Sequence, residues 1–368
     1  MALTLHGTVA DNTAVLSRPN AKPLIINGNM RVKQRGDDIT GITSSGYYSV
    51  DRMKVDLSDN GTWTHSQDTS NPGLGLTRSW KLDCTTADTS VAAGSFHLAR
   101  YLFEGQDLQL LEKGTSTAQA VTISFWIQAT VTGTYIAELF DVNNSRQISQ
   151  AYTVSSANTW EKKVLSFVAD TTGELTNGSG SSFGINLWLG AGSNFSSGTL
   201  STAWTSSTNA NRAVGQVNSA SSTDNNVYFT GLQMEVGDYD VNSIPPFQHE
   251  SFGDNLSRCQ RYLYDPLRGS ASFGALALGV CLSTTIFRTV IFTPAEMRTR
   301  PTIVTSGTIE VAGDNFSPQV TATAVSARTG TQAMEVQFTV GSGLTSGEGA
   351  IVRRDNNDTA QFRLDAEL

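Results

Sequence analysis

The stretch VTISFWIQAT, residues 121–130, decides the fold class. Side chains alternate across an extended strand with period two. Ile123, Phe125 and Ile127 therefore share one face, and Ser124, Trp126 and Gln128 the other. The stretch FGINLWLG, residues 183–190, repeats the arrangement, with Phe183, Ile185, Leu187 and Leu189 opposed to Asn186 and Trp188. Each segment has an aliphatic face for a core and a polar face bearing one tryptophan.

Outward from these two, the chain reads as successive strands over residues 47–57, 78–84, 96–111, 135–140, 161–168 and 227–236. Each is rich in aromatic and β-branched residues and bounded by Gly, Asn, Asp or Ser clusters. Helical spacing is confined to residues 254–263, where Leu256, Cys259 and Leu263 recur and Asp254 stands at the capping position. Strands then resume over residues 275–282, 286–292, 302–311, 320–327, 335–340, 350–354 and 359–366. The expected organisation is all-β: an N-terminal arm for attachment or interchain contact (1–23), a large sandwich (24–250), a linker with a short helix (251–266) and a smaller C-terminal β-sandwich (267–368).

Composition agrees with this reading and excludes several functions. Only 16% of the 368 residues are charged, against about 25% in ordinary globular proteins. Ser, Thr, Asn and 33 glycines take their place, as turn-rich β-structure requires. The net charge of −8, with no basic run, argues against nucleic acid as a partner. No apolar stretch of ~20 residues is present for membrane insertion, and the N-terminus lacks the basic and apolar regions of a signal peptide. Cys84, Cys259 and Cys281 are too scattered for a disulfide framework and are expected as buried free thiols.

A search for chemistry returns no catalytic constellation. The four histidines, His6, His65, His97 and His249, form no zinc-binding spacing, and no nucleophile elbow occurs. No pair of carboxylates stands in a glycosidase context. The expectation is a protein that is not an enzyme, with no cofactor. The oxygen-rich runs 141–144 and 355–358 leave a structural calcium as the one metal to test, without the spacing of a calcium loop. The outward tryptophans Trp126 and Trp188, with Ser124, Gln128 and Asn186, are the candidate glycan-binding residues. Their alternative is to be covered by another segment or subunit. Trp160, entering the strand at 161–168, is expected in the core.

The motif order carries a resemblance. VTISFWIQATVTGTYIAELFD (121–141), SSANTWEKKVLSFVADTTG (155–173), FGINLWLG (183–190) and NVYFTGLQMEVGD (226–238) together resemble a carbohydrate-binding-module jelly roll. The opening LIINGNMRVKQRG (24–36), the Tyr48-x-x-Asp51-Arg52 element and the exit PPFQHESFGDNLSRCQRYLY (245–264) are similar to bacteriophage tail fibres and related appendages. Met53 stands where that family usually has Trp. FTPAEMRTRPTIV (292–304) extends the likeness weakly into the C-terminal part. The resemblance implies a structural component of a phage virion, made in the host cytoplasm: a homotrimeric tail fibre or fibre-like appendage mediating host-surface glycan attachment, with itself and other virion proteins as partners. The alternatives are a capsid-attached fibre or decoration protein, or an accessory glycan-binding module of a polysaccharide-degrading system.

Overall fold

The computed structural model describes residues 22–36, 38–326 and 329–368, so the arm expected over 1–23 lies almost wholly outside the described residues. The chain divides into two compact units, one running to Phe252 and the other spanning Gly253–Glu367.

The described part of the first unit holds strands β1 (Ile39–Ile42), β2 (Gly46–Tyr47), β3 (Lys54–Ser58), β4 (Thr62–Asp68), β5 (Ser79–Thr86), β6 (Phe96–Glu104) and β7 (Val121–Ala129). It continues with β8 (Gly133–Asp141), β9 (Arg146–Val154), β10 (Glu161–Phe167), β11 (Ser181–Ala191), β12 (Thr205–Ser206) and β13 (Asn226–Val236). One sheet runs β1-β4-β5-β13-β7-β10 and the other β12-β9-β8-β11-β6-β3-β2. Within them the eight strands β5-β13-β7-β10 and β6-β11-β8-β9 interleave in the order of a jelly roll, a double-sheet answer to the edge-strand problem.

The core between the sheets is built from the aliphatic faces read above. Ile123, Phe125 and Ile127 of β7 meet Phe183, Ile185, Leu187 and Leu189 of β11 in one buried cluster. Two motifs that carried the resemblance form a clasp at one end. The Asn27 side chain donates to the Val32 and Asp51 carbonyls and accepts from the Val32 amide. Buried Asp51 accepts from the Gln34 amide at 2.8 Å and its side chain at 2.7 Å. Gly28 is required there, because a Cβ would lie 2.1 Å from the Leu232 carbonyl oxygen. Met53, in place of the family's Trp, is buried in the same core.

In the second unit the helix Phe252–Gln260, which begins one residue before it, leads to β14 (Leu263–Tyr264), β15 (Ala275–Cys281), β16 (Ile286–Phe292), β17 (Thr302–Ser306) and β18 (Ile309–Ala312). Strands β19 (Val320–Val325), β20 (Ala333–Val340), β21 (Gly349–Arg354) and β22 (Gln361–Asp365) complete it. A six-stranded sheet, β18-β21-β15-β16-β20-β19, and a three-stranded sheet, β14-β22-β17, enclose a core in which Phe338 and Phe362 meet at 5.6 Å. Because β14 pairs with β22, part of the stretch expected as a linker is built into this unit.

Three expected strands are broken. Residues 47–57 split around the turn that carries Arg52 at φ +70°. Residues 96–111 leave the sheet at Gly105 and continue as the 3-10 helix Gly105–Leu111. Residues 302–311 divide at Gly307, φ +71°, sending β17 and β18 to different sheets. Residue 327, the last of the expected strand 320–327, lies outside the described residues.

Candidate functional site

Parity places Trp126 and Trp188 away from the core, and the structure agrees. It also separates them. Trp126, Ser124 and Gln128 lie on β7 in one sheet, whereas Trp188 and Asn186 lie on β11 in the other. The two tryptophans therefore look outward from opposite sides of the sandwich. They do not share one site, which corrects the sequence expectation.

The β11 side is closed. Trp188 packs with Leu98, Ile136 and Ala213 in a small second core, flanked by Phe195 and Leu200 from the excursion that follows β11. Its indole donates to Glu138 Oε2 at 3.2 Å, and Asn186 donates to the same oxygen at 2.8 Å. Arg212 grips Glu138 through two hydrogen bonds of 2.7 and 2.9 Å and lies over the Trp188 ring. Trp188 is thus covered by its own chain. We expect Trp188→Ala to cost about 3–5 kcal/mol of stability, read as a lower urea midpoint, as buried aromatic truncations do.

The β7 side is open over part of its length. Ser124 is buried and unavailable. Beyond it, Trp126 and Gln128 continue into a row that adds Tyr228 of β13 and Trp160, with Gln128 directly opposite Tyr228. Trp160 and Tyr228 meet edge to face at 6.3 Å, and Lys81 stands 5.9 Å from the Tyr228 ring. All three aromatics are only partly buried. Trp160 therefore sits on this face rather than in the core. Gln128 holds the row in place, accepting from Ser70 at 3.1 Å and donating to the Asn158 carbonyl at 3.0 Å. A bulge at Gly231, φ +61°, lets Trp126 and Leu76 approach, since a Cβ there would lie 2.9 Å from Leu76 and 3.1 Å from Trp126. Lys162, opposite Trp126 on β10, completes the rim, and burial pushes its ammonium pKa down. Such a face offers flat apolar rings beside fixed donors.

Tyr228 was legible in NVYFTGL: Val227 and Phe229 face the core, so Tyr228 must face out. Trp160 precedes its strand, where parity has no purchase.

The oxygens near Asp141 serve a different cation. Buried Lys113 contacts the Asp141 carboxylate, Asp170 Oδ2 at 3.0 Å and the carbonyls of Thr172 and Gly173 at 3.0 and 2.9 Å. Arg146 adds two bonds to Asp170 at 2.8 and 2.9 Å. An ammonium already holds the centre of this cage, so its residues do not fit calcium. In the run 355–358, Asp355 accepts from Gln319 at 2.6 Å. No cluster of three or more metal-ligating side chains occurs among the described residues.

His65 and His97, two of the four histidines, are buried inside the jelly-roll core. Trp63 lies 4.4 Å from the His97 ring, and Tyr48 and Trp80 lie 5.5 and 5.7 Å from His65. All four ring nitrogens lack a hydrogen-bond partner. The three cysteines are free and buried, as expected.

No family model and no curated protein sequence matches this chain. Among solved structures, a domain of bacteriophage CBA120 tailspike protein 4 is similar at TM-score 0.31 and 11% identity. The match spans 58% of this chain and 21% of that one. The C-terminal family 22 carbohydrate-binding module of Clostridium thermocellum Xyn10B matches at TM-score 0.29 and 12% identity, over 57% of this chain and all of that one. The family 11 module of Clostridium thermocellum Lic26A-Cel5E matches at TM-score 0.25 and 10% identity, over 57% and 96% of the two chains.

Proposed function

We propose that this chain is a non-enzymatic, glycan-binding structural protein of a phage virion, acting as a homotrimer in host-surface attachment. The observation that carries the glycan part is the partly exposed row Trp160–Tyr228–Trp126 on the open side of the jelly roll. Aromatic rings stack on the apolar faces of sugars, and Gln128, Lys81 and Lys162 border them with polar groups. On the opposite side Trp188 is covered by its own chain, which leaves the Trp126 side as the candidate reader. The order of the motifs at residues 24–36, 48–52, 121–141 and 245–264 supports the virion assignment. A shallow face of this kind binds weakly, and three copies acting together would add avidity of roughly 10²–10⁴-fold.

The test is binding of purified chain to host-surface polysaccharide, followed by tryptophan fluorescence or on immobilised glycan. Trp126→Ala and Tyr228→Ala should each lower affinity about tenfold, the size of a 1.4 kcal/mol contact, without moving the urea midpoint by more than ~1 kcal/mol. Unchanged binding by the double variant would overturn the assignment of this face.

A further inference from the structure

The six-stranded sheet of the second unit turns one face to its core and leaves the other without a covering layer among the described residues. That outer face is apolar. Leu278 is 76% exposed, Phe292 70%, Val290 47% and Val280 40%. The register sets them side by side: Ala312 lies opposite Ile351, and Ile351 opposite Leu278. Val280 pairs with Arg288, which brings Leu278 beside Val290. An accessible apolar row thus crosses three adjacent strands, β21, β15 and β16, and ends against buried Ala312 on β18. A monomer seldom exposes so continuous an apolar surface unless something binds it.

We propose that copies of this chain associate through this outer face of the C-terminal sheet. The inference rests on the homotrimer part of the reading above and is independent of its glycan part. Charge selects the occupant. The chain carries −8 overall, which opposes self-association elsewhere. On this face the strands present four charged side chains, and they close on one another. Arg353 pairs with Glu310 at 2.7 Å and Arg288 with Glu335 at 3.4 Å. The face is therefore neutral and presents no repulsion to its own copy. Area agrees. Six strands about 4.8 Å apart and roughly six residues long give a face on the order of 600 Å², near the ~800 Å² each partner gives a standard interface. Three such faces turned towards a common axis would each be buried by the other two.

Light scattering on the full chain at about 10 µM reads the outcome. Wild-type protein should show a multimeric mass. Leu278→Glu with Val290→Glu, and separately Phe292→Lys, should raise the dissociation constant about 100-fold or more and shift the mass to the monomer. These side chains point to solvent in the single chain, so circular dichroism of each variant should stay near wild type, and its unfolding midpoint should match that of wild type diluted to the monomer. Leu74→Glu, equally exposed in the first unit, should leave the mass unchanged. A monomeric wild type, meaning that the face serves a different partner, would overturn the proposal. So would a multimer that survives the Leu278/Val290 double change. Glycan affinity per chain, measured on the dispersed variant, reads the Trp126–Tyr228 face separately.

Discussion

Lowering the pH from 7 to 4.5 is expected to strip the first unit of several kcal/mol of stability, and replacing both His65 and His97 by leucine should remove most of that loss. Burial drives both imidazoles well below their ordinary pKa, His97 to about 3, and His97 lowers His65 further. In the unfolded chain each titrates near 6.5. As pH falls below 6.5 the unfolded chain takes up protons that the folded core refuses, so stability falls. Each histidine costs about 1.4 kcal/mol per pH unit while it remains neutral in the fold. Two of them cost roughly 3 kcal/mol per unit, a large share of a typical 5–15 kcal/mol. All six tryptophans lie at or before Trp204, so fluorescence-detected urea unfolding reports on the first unit. A midpoint that does not change between pH 7 and 4.5, or an equal slope in the His65→Leu/His97→Leu variant, would show this account to be wrong.

Those histidines mark where the sequence was and was not legible. Alternation around Phe125 and Ile185 placed the core faces of β7 and β11, because period two survives any arrangement of strands. It gave no information on which sheet each strand joins, and that alone decides whether Trp126 and Trp188 share a site. Strands β4 and β9 were missed altogether. Their sequences, TWTHSQD at Thr62–Asp68 and RQISQAYTV at Arg146–Val154, are mostly polar. In β4 the core positions go to Trp63 and His65, and a buried histidine looks polar on paper. The cover over Trp188 was likewise beyond local reading, since it comes from residues after β11 that have no strand or helix period of their own. The apolar outer face of the second unit was hidden for the opposite reason. Leu278, Val290 and Phe292 look like core residues until the register shows which face they take.

Lys113→Met is expected to destabilise the first unit by about 3–5 kcal/mol at pH 7, as much as truncating Trp188. The ammonium is buried together with Asp141 and Asp170. Removing one partner of a buried ion pair leaves a charge without compensation, and that costs more than the pair itself contributed. Methionine keeps most of the side-chain volume, so packing loss is small and the charge is what is tested. Burial by itself raises the Asp170 pKa, but the hydrogen bonds from Arg146 and Lys113 outweigh it and hold the carboxyl below its ordinary value. A carboxyl held low contributes stability that is present above the unfolded value of ~3.9 and lost as pH falls through the folded one. The gap between wild type and Lys113→Met should therefore narrow below about pH 4, and because both proteins keep His65 and His97, the histidine contribution cancels in that difference. Adding Asp141→Asn should recover a good part of the loss at pH 7, because the amide needs no counter-charge and keeps the carboxylate's shape. Urea midpoints within ~1 kcal/mol of wild type for Lys113→Met, or no recovery on adding Asp141→Asn, would mean that the cage is held by its backbone and not by the buried ammonium.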